Sequence, residues 1–178
     1  GAGSAQAVSV SGQISVSGRR GGPAVNVGDV RTLQPLADNN GVIDITTPGD
    51  ILLNGKLLAD GSHWAGAVRV VAGGDAHLGS GALLSASAAS GSNQGGGSVT
   101  LFAHGNATHA PGATLAARGD GSGAGGFVEF SAKKKVTLDG LVLDAGTDTG
   151  VAGQAYVDPD DVEVVSDLVV TNGTNHTI

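Results

Sequence analysis

The densest group of side chains that could do chemistry is the acidic run Asp158-Pro-Asp160-Asp161, closely followed by Glu163. Carboxylate oxygens are the ligands that Ca²⁺ prefers, so Asp158, Asp160 and Asp161 are the candidate cation ligands of this chain. The EF-hand loop spacing and the glycine-rich nonapeptide that binds Ca²⁺ are both absent from the sequence. We therefore interpret the run as a solvated turn and expect no resident cofactor, with Ca²⁺ as the alternative.

A second candidate site is the glycine-rich segment that contains Trp64, the one tryptophan of a chain with only 3% aromatic residues. The indole of Trp64 could stack on a sugar ring, with His63 and Asp60 as polar neighbours, or it could cover an open end of the core. Loops on a rigid scaffold are where binding residues collect. The expected partner is accordingly a glycan, or a host or matrix surface component.

Catalysis needs reactive side chains that converge in one cleft, and no spacing in the sequence requires such side chains to converge. A polysaccharide-cleaving enzyme would combine carboxylates with a basic residue, for which Lys133 to Lys135, or Arg118 near Asp120, are the candidates. Their spacing does not place them in one cleft, so we expect no enzyme and keep this activity as the alternative. Haem or host-protein binding is a further alternative, suggested by five histidines: His63, His77, His104, His109 and His176. His104 and His109 lie five residues apart, which suits neither a helical nor a strand-borne metal pair.

Three Asn-x-Thr sequons offer sites for N-glycosylation, at Asn106, Asn172 and Asn175. Such motifs arise by chance in turns rich in asparagine, threonine and glycine, and a sugar there would add bulk at the surface without altering the fold.

Charge and composition limit the remaining partners. The net charge of −7 disfavours nucleic acid and anionic lipid as the main ligand. The sequence contains no cysteine, which removes disulfides and thiolate metal sites, and it has no run of 18 apolar residues that could span a bilayer. The absence of cysteine fits a chain that crosses membranes unfolded and folds outside the cell.

The elements that position these residues recur along the chain. Ile43, Val68, Val99 and Val128 are each followed eight positions later by another apolar residue: Ile51, Ala76, Ala107 and Val136. Gly55, Gly81, Gly112 and Gly140 then open a third apolar segment in each repeat. The connector after that segment varies in length, so each repeat is a fixed scaffold that carries one elastic loop.

Within each segment the apolar residues alternate with period two, as in Val128-x-Phe130-x-Ala132, which is typical of strands. Three short strands per repeat, separated by turn residues, predict an all-β fold: a parallel β-helix of about six coils. The crossover rule for parallel strands makes it right-handed. In the segment 19–40, Val25 and Leu33 repeat the eight-residue spacing, which favours a compact coil there over a long loop.

We expect a single domain over residues 1–178. Residues 1–6 are predicted to be an appended or frayed end, 7–40 irregular first coils, 41–153 four regular coils, and 154–178 a C-terminal coil interrupted in mid-pattern. The chain would then be part of a longer protein, and its open ends could associate end to end with another copy.

The segment GGFVEFSAKKKVTLDGLVLDAGTDTG, followed by AYVDPDDVEV, resembles the β-helical repeats of two-partner-secretion exoproteins, the filamentous-haemagglutinin-like adhesins of Gram-negative bacteria. The resemblance covers about residues 41–165, and the asparagine-rich signature of that family's secretion domain is missing here. It implies a secreted or cell-surface protein that acts in adhesion, aggregation, biofilm structure or virulence. It also implies an outer-membrane transporter as the partner of the parent protein, and it transfers no catalytic residue.

Overall fold

The fold is seen in a computed structural model that describes residues 41–63, 65–163 and 169–171, together with four short strands nearer the N-terminus at 8–10, 13–14, 25–27 and 30–32. Side-chain positions are described for 41–63 and 65–160. Nineteen strands and no helix occur in these ranges.

The strands form three parallel sheets, and each turn of the chain adds one strand to each sheet. The first sheet contains β2 (Gln13–Ile14), β5 (Val42–Thr47), β8 (Ala67–Ala72), β11 (Ser98–Ala103), β14 (Phe127–Ala132) and β17 (Gln154–Tyr156). The second sheet contains β3 (Val25–Val27), β6 (Ile51–Leu53), β9 (Ala76–Leu78), β12 (Ala107–His109), β15 (Lys135–Thr137) and β18 (Asp161–Glu163). The third sheet contains β1 (Val8–Val10), β4 (Val30–Thr32), β7 (Lys56–Leu58), β10 (Leu83–Ser85), β13 (Thr114–Ala116), β16 (Val142–Asp144) and β19 (Val169–Thr171).

The eight-residue spacing in the sequence is the distance from the inward row of one sheet to the inward row of the next. Ile43, Val68, Val99 and Val128 are paired in register in the first sheet. Ile51, Ala76, Ala107 and Val136 are paired in register in the second sheet. All eight side chains are at most 2% exposed, so the interior is a column of stacked aliphatic rows. The predicted parallel β-solenoid is confirmed at this level.

The solenoid has about four turns between residues 41 and 153, which are described without interruption apart from residue 64. Beyond them the sheets continue with single strands of further turns. One sequence-based assignment is wrong. Val25 is paired with Ile51 in the second sheet, whereas the eight-residue spacing had aligned it with Ile43 in the first. The reason is that period-two alternation is common to all three strands and does not identify the sheet.

The turn between the second and third strands explains an irregularity in the repeats. Gly81, Gly112 and Gly140 have φ angles of 73°, 85° and 70°, in the left-handed region that glycine adopts without strain. Gly55 is not among the described residues with positive φ. In its coil Leu57 pairs with Leu84, although Leu57 is only four residues past Leu53 and Leu84 is six past Leu78. That coil therefore turns with two residues fewer and needs no left-handed glycine.

A second set of glycines forms a column just before the first sheet. A Cβ atom on Gly66, Gly97, Gly126 or Gly153 would lie well inside 3.0 Å of the carbonyl oxygen of the corresponding glycine one coil back, a separation that real Cβ atoms essentially never show. Close stacking of the coils at this corner therefore requires glycine, which accounts for the glycine before each first strand.

Candidate binding site

The loop site predicted around Trp64 is not assembled in the described residues. The Asp60 carboxylate accepts hydrogen bonds from the Ser85 hydroxyl (2.5 Å) and the Ser87 backbone N–H (2.8 Å), both in the next coil. The His63 ring is exposed, and its Nδ1 lies 3.4 Å from the Ser62 hydroxyl. Trp64 itself lies outside the described residues. Asp60 thus links two coils, and the sugar-binding role of His63 and Trp64 stays a prediction.

The described side chains of the acidic turn, those of Asp158 and Asp160, make separate contacts. Asp158 accepts a hydrogen bond from the Tyr156 hydroxyl at 3.2 Å, and the backbone N–H of Asp158 donates to the Ser131 hydroxyl at 3.2 Å. Asp160 is exposed, and the side chain of Asp161 is outside the described set. Among the described residues, no group of three or more His, Cys, Asp or Glu side chains could hold a metal ion.

The histidines with described side chains lie in separate environments. His77 Nδ1 is 2.9 Å from the Thr108 hydroxyl, and the exposed His104 ring meets Phe102 edge-on with centroids 5.1 Å apart. His109 Nδ1 lies 3.0 Å from the Ala110 carbonyl oxygen, which makes Nδ1–H the donor. Its Nε2 atom is buried without a hydrogen-bond partner.

The sequon at Asn106 is occupied by a structural contact. The Asn106 side-chain amide donates to Asp75 Oδ1 at 3.1 Å, and the Asn106 backbone N–H donates to the same oxygen at 2.7 Å. Asp50 does the same one coil earlier, accepting the backbone N–H of Asp75 at 2.8 Å. A sugar on the Asn106 nitrogen would compete with this ladder. Asn172 and Asn175 lie outside the described residues.

The basic residues proposed for an enzyme site have other partners. Arg118 contacts Asp144 at 3.2 Å and Asp148 at 3.1 Å, each in the adjacent coil. Asp120 accepts the backbone N–H of Asn93 at 2.8 Å instead of meeting Arg118. That hydrogen bond, aided by one from the Gly91 N–H, lowers the pKa of Asp120 from its ordinary value. The side chains of Lys133, Lys134 and Lys135 are exposed, the first two in the turn before β15 and the third at the start of that strand.

The long loops after the third strands stack on one another. Backbone hydrogen bonds join consecutive loops, including Asp120 N–H to Gln94 O and Thr149 N–H to Gly121 O, both 2.9 Å. Asp148 accepts the Gly121 N–H at 3.2 Å. The polar groups of these loops therefore satisfy each other, which leaves few of them directed at a ligand.

A different surface carries side chains without such partners. Phe102, Phe127 and Tyr156 lie on the outward side of the first sheet, one position away from the inward residues Leu101, Val128 and Ala155. We call these three side chains the aromatic face. Tyr156 is 48% exposed and the two phenylalanines are half-buried. The period-two alternation that places Val128 inward also places Phe127 outward.

The charges around the aromatic face are unevenly distributed. Arg69, on the same side of the sheet, is paired with Asp44 at 3.2 Å. Glu129 is the in-register neighbour of Tyr156, and the Asp158 carboxylate accepts a hydrogen bond from the Tyr156 hydroxyl. The hydrogen bond to Asp158, its charge and that of Glu129 raise the pKa of Tyr156 above its ordinary value. The C-terminal part of the aromatic face is therefore negatively charged.

No protein-family model, curated protein or solved structure matches the chain. No helix in the part of the chain that the structure describes has the length and hydropathy of a membrane span.

Proposed function

We propose that this chain is a non-catalytic segment of a secreted or cell-surface bacterial adhesin, in which a right-handed solenoid of about six coils serves as a rigid stalk and presents glycan- or matrix-binding side chains. The observation that carries the proposal is the hydrogen bonding between consecutive loops. Connectors of variable length would be expected to be loose, yet the carboxylates of Asp60, Asp120 and Asp148 each accept a backbone N–H of an adjacent coil, the next coil for Asp60 and the preceding coil for the other two.

Rigidity follows from this arrangement in two ways. Backbone ladders and aliphatic rows resist bending within the sheets, and the carboxylate contacts resist it along the loop corner. Each coil contacts mainly its neighbours, so length can change by whole coils without altering the interior. A part built in this way suits a spacer that holds a binding surface away from a cell.

The extracellular location is supported by composition and by the repeat resemblance. A cysteine-free chain has no disulfide that could form early and block passage through an outer-membrane transporter, which is the implied partner. Coils that add one after another offer a simple way to fold outside the cell as the chain emerges.

Small-angle scattering on coil-insertion variants tests the stalk. Ser98 and Phe127 are paired in register, so residues 98–126 make one whole coil. Four tandem copies of this coil are inserted after residue 126. The rod should lengthen by about 19 Å, four spacings of about 4.8 Å, with an unchanged cross-section. A matched control carries a glycine-serine insert of the same length, which should give a flexible loop instead. An unchanged maximum dimension, or a broadened cross-section, would refute the stalk.

Export is tested separately. The chain is fused behind the secretion domain of a two-partner exoprotein and expressed with and without the cognate transporter. We expect surface or extracellular chain only when the transporter is present, and retention in both cases would contradict the proposed location.

A further inference from the structure

The aromatic face has no folding role that explains its exposure. Three of the five aromatic residues of the chain lie on the outward side of a single sheet. Phe130, by contrast, is completely buried among the aliphatic rows. Aromatic rings gain most from burial, and exposed clusters of them mark surfaces where something else binds.

The register fixes how the rings are spaced. Tyr156 lies opposite Glu129, and Phe127 is two residues before Glu129 on the same side of its strand. With strands about 4.8 Å apart and about 3.4 Å per residue, the Cα atoms of Phe127 and Tyr156 are separated by about 8 Å. Phe102 is two strands from Tyr156 and two residues further along, which gives about 12 Å. The rings thus form a flat, extended array and not a pocket for one small molecule.

The charge of the array selects the ligand. Among the described residues the Glu129 carboxylate has no ion-pair partner, and Asp158 beside it interacts with the neutral Tyr156 hydroxyl. The next cations along the strand, Lys133 and Lys134, follow Glu129 by four and five residues, a distance of about 13 Å or more. Arg69 is neutralised by Asp44. A ligand seated on Tyr156 and Phe127 therefore meets uncompensated negative charge.

We propose that the aromatic face binds an oligosaccharide of amino sugars with free ammonium groups, such as β-linked glucosamine. The apolar faces of the sugar rings stack on Phe127 and Tyr156, and ammonium groups interact with Glu129 and Asp158. Another copy of the chain fits less well because the net charge of −7 makes two chains repel each other. This inference rests on the proposed function and names the ligand class of that binding surface.

Calorimetric titration of the whole chain with glucosamine hexamer tests the proposal, with N-acetylglucosamine hexamer as the neutral comparison ligand and an oligolysine of equal charge as the peptide comparison. We expect binding of the glucosamine oligomer that weakens at high salt, and at least tenfold weaker binding of the acetylated one. Glu129→Gln should weaken binding about fivefold, and Tyr156→Ala about tenfold. Tyr156→Phe should retain most of the affinity, since the ring is kept.

Val151→Ala is the matched control, because Val151 is 78% exposed and lies in the loop before β17, outside the strands that carry the aromatic face. Equal binding of the free and acetylated oligomers would overturn the role of charge. Tighter binding of oligolysine than of the glucosamine oligomer would overturn the assignment of a sugar as the ligand. Loss of affinity in Val151→Ala equal to that in Tyr156→Ala would overturn the assignment to this face. If no oligomer binds while the coil insertions lengthen the rod, the ligand inference fails and the stalk stands.

Discussion

Replacing Gly97 by alanine tests whether the coils depend on the glycine column. The added methyl group would point at the carbonyl oxygen of Gly66 in the preceding coil and would have to retreat from it by about 1 Å to reach even the shortest separation that real Cβ atoms show. That oxygen already accepts the Ser98 N–H at 3.2 Å, and the Gly97 N–H donates to Ala86 O at 2.8 Å. A shift of this size lengthens the first bond to more than about 4 Å, beyond hydrogen-bonding distance, and weakens the second.

The magnitude follows from these contacts. Leaving two backbone groups of a stacked coil poorly satisfied costs about 1–3 kcal/mol for each lost bond. Alanine restricts the unfolded chain more than glycine does, which raises the unfolding free energy by about 0.4–1 kcal/mol. With about 2 kcal/mol for the bond that is lost and about 1 kcal/mol for the bond that is weakened, less this gain, the net loss of unfolding free energy is about 2–3 kcal/mol, which for a chain of this size lowers Tm by roughly 4–12 °C.

Thermal denaturation followed by circular dichroism measures this effect, with Gly95→Ala as the control. A methyl group at Gly95 meets only the Ala124 carbonyl oxygen at 3.3 Å, which small adjustments can relieve, so its Tm should fall by no more than about 4 °C. If Gly97→Ala melts no lower than Gly95→Ala, the coils are not held at the separation argued above.

Three further substitutions probe the interior and the loop corner. Val128→Asp introduces a charge at a position with 0% exposure and should lower the unfolding free energy in urea by several kcal/mol, about 3–5; a midpoint like that of the parent would contradict the inward assignment. His109→Leu should raise the unfolding free energy by about 1–2 kcal/mol, because His109 is paired with Leu78 in an inward row and its Nε2 is buried without a partner; a lower urea midpoint would contradict this reasoning. The folded-state pKa of Asp120 is lowered by the Asn93 N–H, so its ionised form stabilises the fold above the unfolded pKa of about 3.9, and this contribution is lost as pH falls through the folded pKa. Asp120→Asn should therefore melt below the parent at neutral pH and approach it as the pH falls through the folded-state pKa of Asp120, and a difference that stays constant with pH would argue against the charge.

The sequence predicts those features of the fold that depend on apolar residues recurring at a fixed spacing along the chain. Val99 and Ala107 are eight residues apart because a six-residue strand and a short turn separate the inward rows, and this distance is the same in all four complete coils. The third-strand register could not be predicted, because the turn that precedes it has two residues fewer at Gly55 than at Gly81. The length of this turn changes the number of residues between its glycine and the first inward residue of the third strand, while the strand itself keeps its alternation.

The candidate site could be predicted less well, because the roles of polar residues depend on which coils become neighbours. Asp60 was assigned to a ligand from its place beside His63 and Trp64, yet its partners Ser85 and Ser87 are 25 and 27 residues away. No local pattern reveals a contact whose sequence separation depends on loop length. The outward placement of Phe127 was, in contrast, available from alternation alone.

These contacts limit where such a solenoid can acquire a binding site. At the loop corner, glycines such as Gly97 are required by coil spacing, and carboxylates such as Asp120 and Asp148 hold backbone N–H groups of the adjacent coil. A substitution there disturbs the stack before it can create a contact with a ligand. Side chains at outward strand positions are not needed to hold adjacent coils together, because the backbone there is already paired and the side chains face solvent. Binding specificity can therefore change most freely on the outer side of a sheet, which is where Phe102 and Tyr156 lie.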